Sequence, residues 1–97
     1  MDKLIFDILR EYSYPEWMYD DIISKLQNLS PKIRKHFESW LSNRTEPDID
    51  IEGYTYKSLL NDYKMTPINA FITLNWLLLN PDEAKIVLQG MIDEIKI

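Results

Sequence analysis

Few side chains in this chain of 97 residues could do chemistry. His36 is the sole histidine, and it stands beside Lys35. Acid–base or nucleophilic catalysis needs such a group within reach of a positioned Ser, Thr or Cys. No motif here places that nucleophile, and cysteine is absent, which also removes a disulfide framework and a thiolate zinc site. The acids Asp20 and Asp21, like Asp82 and Glu83, are neighbours in sequence, so on a helix they point apart. Asp82 and Glu83 suit the first turn of a helix, where they oppose the macrodipole. Two isolated glycines, Gly53 and Gly90, cannot build a phosphate loop. No catalytic residue, metal ligand or cofactor site is assigned, and an enzyme is not expected.

The alternation Asp48-x-Asp50-x-Glu52-Gly53 resembles the first half of an EF-hand loop, in which oxygen ligands alternate up to a glycine at the sixth position. Position eight of that loop is then Thr55, where an aliphatic residue is usual. Position twelve is Leu59, where the loop requires a bidentate Glu. The same letters have period two and read more simply as an extended connector over residues 44–54, pinning Ile49 and Ile51 onto the helices; with no partner strand elsewhere, a real sheet is not expected.

Residues 54–79 trace a short helix, a three-residue turn at Lys64-Met65-Thr66, and a second helix opened by Thr-Pro. This is the outline of a helix-turn-helix, with Leu59, Leu60, Met65, Phe71 and Leu74 at its packing positions. A recognition helix needs cationic or amide side chains aimed at bases and phosphates. The second helix has no basic residue, so Lys57, Lys64, Asn69 and Thr73 are the DNA-contact candidates in residues 54–80.

Aromatic residues form the remaining constellation. Trp17, Trp40 and Trp76 lie on three expected helices and are expected to meet in the core. Six tyrosines are too many for a small interior, and tyrosine is favoured at interfaces for its stiff area and polar tip. Tyr12, Tyr14 and Tyr19, mixed with Asp20 and the acids Asp7, Glu11, Glu16 and Asp21, mark a surface suited to a basic protein partner.

The elements that must position these residues are punctuated by proline. Pro15, Pro31, Pro67 and Pro81 each sit where a helix would begin. The central one is 67–79, apolar except for Asn69, Thr73 and Asn75, with Thr66 as N-cap. Thirteen residues reach roughly 20 Å, short of a bilayer core of about 30 Å. This segment is therefore a buried helix wrapped by others. Around it the spacing predicts a helix at 2–12 (Leu4, Ile5, Ile8, Leu9 inward, Phe6 at the margin) and one at 15–29 (Met18, Ile22, Leu26, Leu29, widened by Trp17 and Ile23). Further helices are predicted at 31–42 (Ile33, Phe37, Trp40, Leu41), at 56–63 (Leu59, Leu60), and from Pro81 onward (Ala84, Val87, Leu88, Met91, Ile92, Ile95). Gly90 weakens the last of these.

Length and composition fit one all-α domain, residues 1–97, a compact bundle of about five to six short helices. Net charge is −5, disfavouring nucleic acid and anionic lipid. Residues 31–45 are the most basic stretch, at +3, and 53–79 sum to +1. The acidic N-terminus lacks the features of a signal peptide, and a cytoplasmic protein is expected. The combined reading is a small acidic protein-interaction module without catalytic activity. A homodimer is expected, because a thin bundle leaves apolar surface for a second copy to cover. The alternative is a DNA-associated transcriptional regulator using residues 54–80.

Overall fold

The computed structural model describes residues 2–96 and shows an all-α fold with six helices and one two-stranded hairpin. The chain forms two compact units, Met1–Thr45 and Glu46–Ile97.

In the first unit, α1 (Asp2–Glu11) buries Ile5, Ile8 and Leu9, spaced to share one helical face. Leu4, expected in that stripe, is half exposed instead, because it lies at the stripe's edge. The helix closes through Ser13, whose φ of 59° is left-handed. The Ser13 amide donates to the Arg10 carbonyl at 3.0 Å, and the Tyr14 amide donates to Leu9 at 3.0 Å. This is the hydrogen-bond pair of a Schellman cap, with serine where glycine is usual. Pro15 then starts a single 3-10 turn, Glu16–Met18, closed by the Met18 amide donating to the Pro15 carbonyl at 3.0 Å.

The continuous helix expected at 15–29 is thus two pieces, the 3-10 turn and α2 (Tyr19–Gln27). Arg34, one turn into α3 (Pro31–Asn43), donates to the carbonyls of Gln27 and Leu29, both at 2.9 Å. It satisfies backbone acceptors at the last residue of α2 and just beyond it. The most basic stretch of the sequence therefore has a structural duty. Ile33, Phe37, Trp40 and Leu41 of α3 are buried, as their spacing predicts.

In the second unit the expected connector is in part a hairpin. Strand β1 (Asp50–Ile51) pairs antiparallel with β2 (Tyr54–Thr55), matching Asp50 to Thr55 and Ile51 to Tyr54. The two loop residues, Glu52 and Gly53, have φ of 56° and 87°. Positive φ at both positions is the signature of a type I′ turn, whose twist suits a two-residue hairpin. The Asp50 carboxylate accepts from the Gly53 amide at 2.8 Å and locks the turn. The period-two pattern at 48–52 therefore contains a real strand, Asp50–Ile51, whose partner begins directly after the turn.

Thr55 ends the hairpin and caps α4 (Tyr56–Asn61). Its hydroxyl accepts from the Ser58 amide and the Ser58 hydroxyl accepts from the Thr55 amide, both at 3.1 Å. This reciprocal capping box satisfies two amides that a helix start would leave open. Lys64 takes φ of 58° in the following turn, and Thr66 caps α5 (Pro67–Leu79), which has the boundaries its sequence predicts. α5 packs against α4, β1 and α6 (Pro81–Lys96). Ile68, Ala70, Phe71, Leu74 and Leu77 are fully buried, and the Phe71 ring lies 5.3 Å from that of Tyr56. Ile72, Trp76 and Leu78 are half-buried. Among the described side chains of α6, Ala84 and Leu88 are buried, while Val87 and Ile95, expected in the core, are exposed.

Candidate protein-interaction surfaces

The tyrosines singled out from sequence are divided by the Schellman turn and the 3-10 turn that follows it. Tyr12 and Tyr14 flank Ser13 and are half-buried. Tyr19 opens α2 and is buried, its ring 5.9 Å from that of Phe6 and tilted by 48°. It therefore acts as a wedge between α1 and α2, not as the exposed contact its composition suggests. Asp20 is exposed, as expected, and Asp21 pairs with Lys25 at 3.1 Å.

The residue that does project is Trp17, 82% exposed at the middle of the 3-10 turn. It joins neither the stripe of α2 nor a cluster of tryptophans. The short turn explains this. A 3-10 turn winds at 3.0 residues per turn instead of 3.6, so the periodicity of α2 does not extend backward to position 17. Exposed acids Glu16 and Asp20 flank the indole in sequence. Glu11 belongs to a different contact: Arg44 grips it at 2.7 and 3.3 Å while lying 4.6 Å over the Trp40 ring. The hydrogen bond from Arg44 to Glu11 raises the arginine's pKa, holding its charge. Arg44, at φ 57°, thus ties the end of α3 to the end of α1.

In the second unit the expected helix pair is present as α4 and α5, but α4 ends at Asn61 instead of Tyr63, so the link is the five residues 62–66 and not the expected three-residue turn. Its DNA-contact candidates do not make a cationic face. Lys57 lies 3.9 Å from Glu46, Lys64 and Asn69 are exposed, and the Thr73 hydroxyl donates to the Met65 sulfur at 3.5 Å. α5 itself carries no cation on any side.

Two of the three acids that resemble a cation loop, Asp50 and Glu52, have local partners, and Asp48 is exposed. The Asp50 carboxylate faces the Gly53 amide, and Glu52 lies 3.6 Å from Lys85. Among the described residues no group of three or more His, Cys, Asp or Glu is arranged to hold a metal ion. His36 is half-buried beside Phe37 on α3. A shallow cleft lined by Asn61, Asp62, Tyr63, Lys64, Ile92 and Ile95 runs between the end of α4 and the end of α6. There burial, reinforced by the neighbouring Tyr54 phenol and by Asp62 and Asp93, pushes the Tyr63 phenol up to about 12. The phenol is therefore neutral across the physiological pH range.

Sequence reasoning missed two features. One is the outward placement of Trp17. The other is Ile86, 74% exposed on α6 two residues from both Ala84 and Leu88. The signal for Ile86 was present: a residue two positions from each member of an i, i+4 buried pair falls on the opposite face. No helix among the described residues is long and apolar enough to cross a membrane. No protein-family model, curated protein or solved structure matches this chain.

Proposed function

We propose that this chain is a non-catalytic protein-interaction module whose first unit binds a basic protein through Trp17. The single observation that carries this reading is the 82% exposure of that indole between two exposed acids. Tryptophan is the side chain most enriched at binding hot spots, and leaving it in water forgoes a large apolar burial. An acidic rim steers and selects a cationic partner. Supporting residues are Phe6 and Asp20, with half-buried Tyr12 and Tyr14 on the other side of Pro15.

The sequence also raised a homodimer and a DNA-associated regulator. α5, whose apolarity motivated the homodimer, is mostly covered within its own unit, and two acidic rims brought together would repel. A basic heterologous partner is favoured for that reason. The DNA reading lacks a cationic α5.

The test is affinity capture from cells of the source organism, with wild-type, Trp17→Ala and Asp20→Lys baits compared quantitatively. A basic protein retained by wild type, lost with both variants and released as salt rises supports the reading. Indistinguishable captures from all three baits overturn it.

A further inference from the structure

The second unit carries a surface of different construction, on the outward side of α6. Residues 82, 83, 86, 87, 90, 93 and 94 share one face of this helix by its 3.6-residue period. Their order is acidic, apolar, open, acidic. Asp82 and Glu83 stand at one end, Ile86 (74% exposed) and Val87 (44%) follow, then Gly90, then Asp93 and Glu94. The opposite side of the helix is anchored by buried Ala84 and Leu88.

Three choices on this face run against the local stability of α6. Ile86 exposes a branched apolar side chain that makes no contribution to the core. Gly90 weakens a helix interior, yet nothing lies within 4 Å of where its Cβ would be, so its own unit does not require a glycine there. Glu94 sits near the C-terminal end, where the macrodipole disfavours acids, as does Asp93, whose carboxylate accepts a hydrogen bond from the Gln89 side chain at 3.1 Å. A chain departs from its own local rules in this way at sites that serve something other than folding. A missing side chain at Gly90 beside an exposed isoleucine is what close approach of another helix needs.

Charge selects the occupant. In a two-fold pair of α6 helices, antiparallel packing sets Asp82 and Glu83 against Asp93 and Glu94, and parallel packing sets each acid pair against itself. Both arrangements juxtapose like charges, which is destabilising. The same acids repel nucleic acid and anionic membranes. Lys85 does not relieve them, because it turns away toward Glu52. We propose that this face docks a cationic amphipathic helix of a partner protein. Its apolar side would lie on Ile86 and Val87 across the opening at Gly90, with Lys or Arg at both ends meeting the two acid pairs. Those pairs are eleven residues apart, about 16 Å along the axis, so the cations of the partner fall three turns apart.

The experiment is a fluorescence-anisotropy titration of the full chain against a dye-labelled synthetic helix of about twenty residues, long enough to span that distance. The probe has a leucine stripe with lysines at both ends, and a matched probe carries glutamates in their place. The proposal expects saturable binding of the lysine probe and none of the glutamate probe. Binding weakens at least tenfold in Ile86→Glu and in Asp93→Lys/Glu94→Lys, and also weakens in Gly90→Gln, all with wild-type circular dichroism. Trp17→Ala binds like wild type, which separates this face from the one in the first unit. The proposal is overturned if the lysine probe does not bind, if Ile86→Glu binds it unchanged, or if both probes bind alike. It is also overturned if sedimentation shows a wild-type dimer that Ile86→Glu converts to a monomer, since a second copy then covers the face.

Discussion

Replacing Gly90 with Ala should stabilise the protein, which is unusual for a substitution in a 16-residue helix that runs along a core element. The structure fixes both sign and size. Gly90 lies within α6, it does not use the left-handed region, and a Cβ there meets nothing within 4 Å. There is consequently no clash or backbone strain to subtract from the gain in helix propensity, about 0.5–1 kcal/mol. For a protein of this size that corresponds to roughly 2–8 °C in melting midpoint. Thermal and urea melts followed by far-ultraviolet circular dichroism read it directly. Gly53→Ala is the matched control. At φ 87° in the hairpin turn, alanine is forced into a left-handed conformation and should destabilise by about 1–2 kcal/mol. A Gly90→Ala protein that melts at or below wild type would refute the reasoning, showing that residue 90 is not in an unobstructed helix.

Three other outcomes follow from the same geometry. Phe71→Ala should cost about 3–5 kcal/mol in urea denaturation, because the ring is fully buried on α5 against Tyr56. Thr55→Ala should cost about 0.5–2 kcal/mol and lower hydrogen-exchange protection in α4, since it removes the acceptor for the Ser58 amide. The Tyr63 phenol ionises near its ordinary 10 when unfolded and only at about 12 when folded. Between these values the folded chain binds more protons than the unfolded one, so stability falls as pH rises through this window. Tyr63→Phe should lose that part of the alkaline decline, and ultraviolet titration of the folded protein should lose a late-ionising component in the same variant.

What was legible in the sequence follows the reach of each signal. Pro67 behind Thr66 and Asn80 before Pro81 state both ends of α5 without ambiguity, and α5 has those ends. The stripe Ile33, Phe37, Trp40, Leu41 is long enough for period 3.6 to identify the buried face of α3. The hairpin was harder. Its strands are two residues each, shorter than any window in which alternation can be counted, and the deciding clue was Glu52-Gly53 as a turn, not Asp48 or Asp50 as ligands. Pro15 suits the start of a 3-10 turn and of an α-helix equally, so the sequence alone does not distinguish a long helix with Trp17 inside from the short turn that exposes it. On α6, Val87 and Ile95 are apolar at plausible spacings, but a single helix packed mainly on α5 has room for only a narrow stripe. Tyr19 shows the converse: interface propensity describes tyrosines as a class, while the contact with Phe6 is a tertiary fact.

The reading of the chain as an interaction module stands most directly on the indole of Trp17. The decisive measurement is the dissociation constant of the partner captured by the wild-type protein, determined by calorimetry with wild type and Trp17→Ala side by side. Loss of a centrally buried tryptophan contact of about 2 kcal/mol or more predicts at least a tenfold weaker complex with unchanged protein stability. Equal dissociation constants for the two proteins would contradict the account, and the exposed side chain would then have no part in binding.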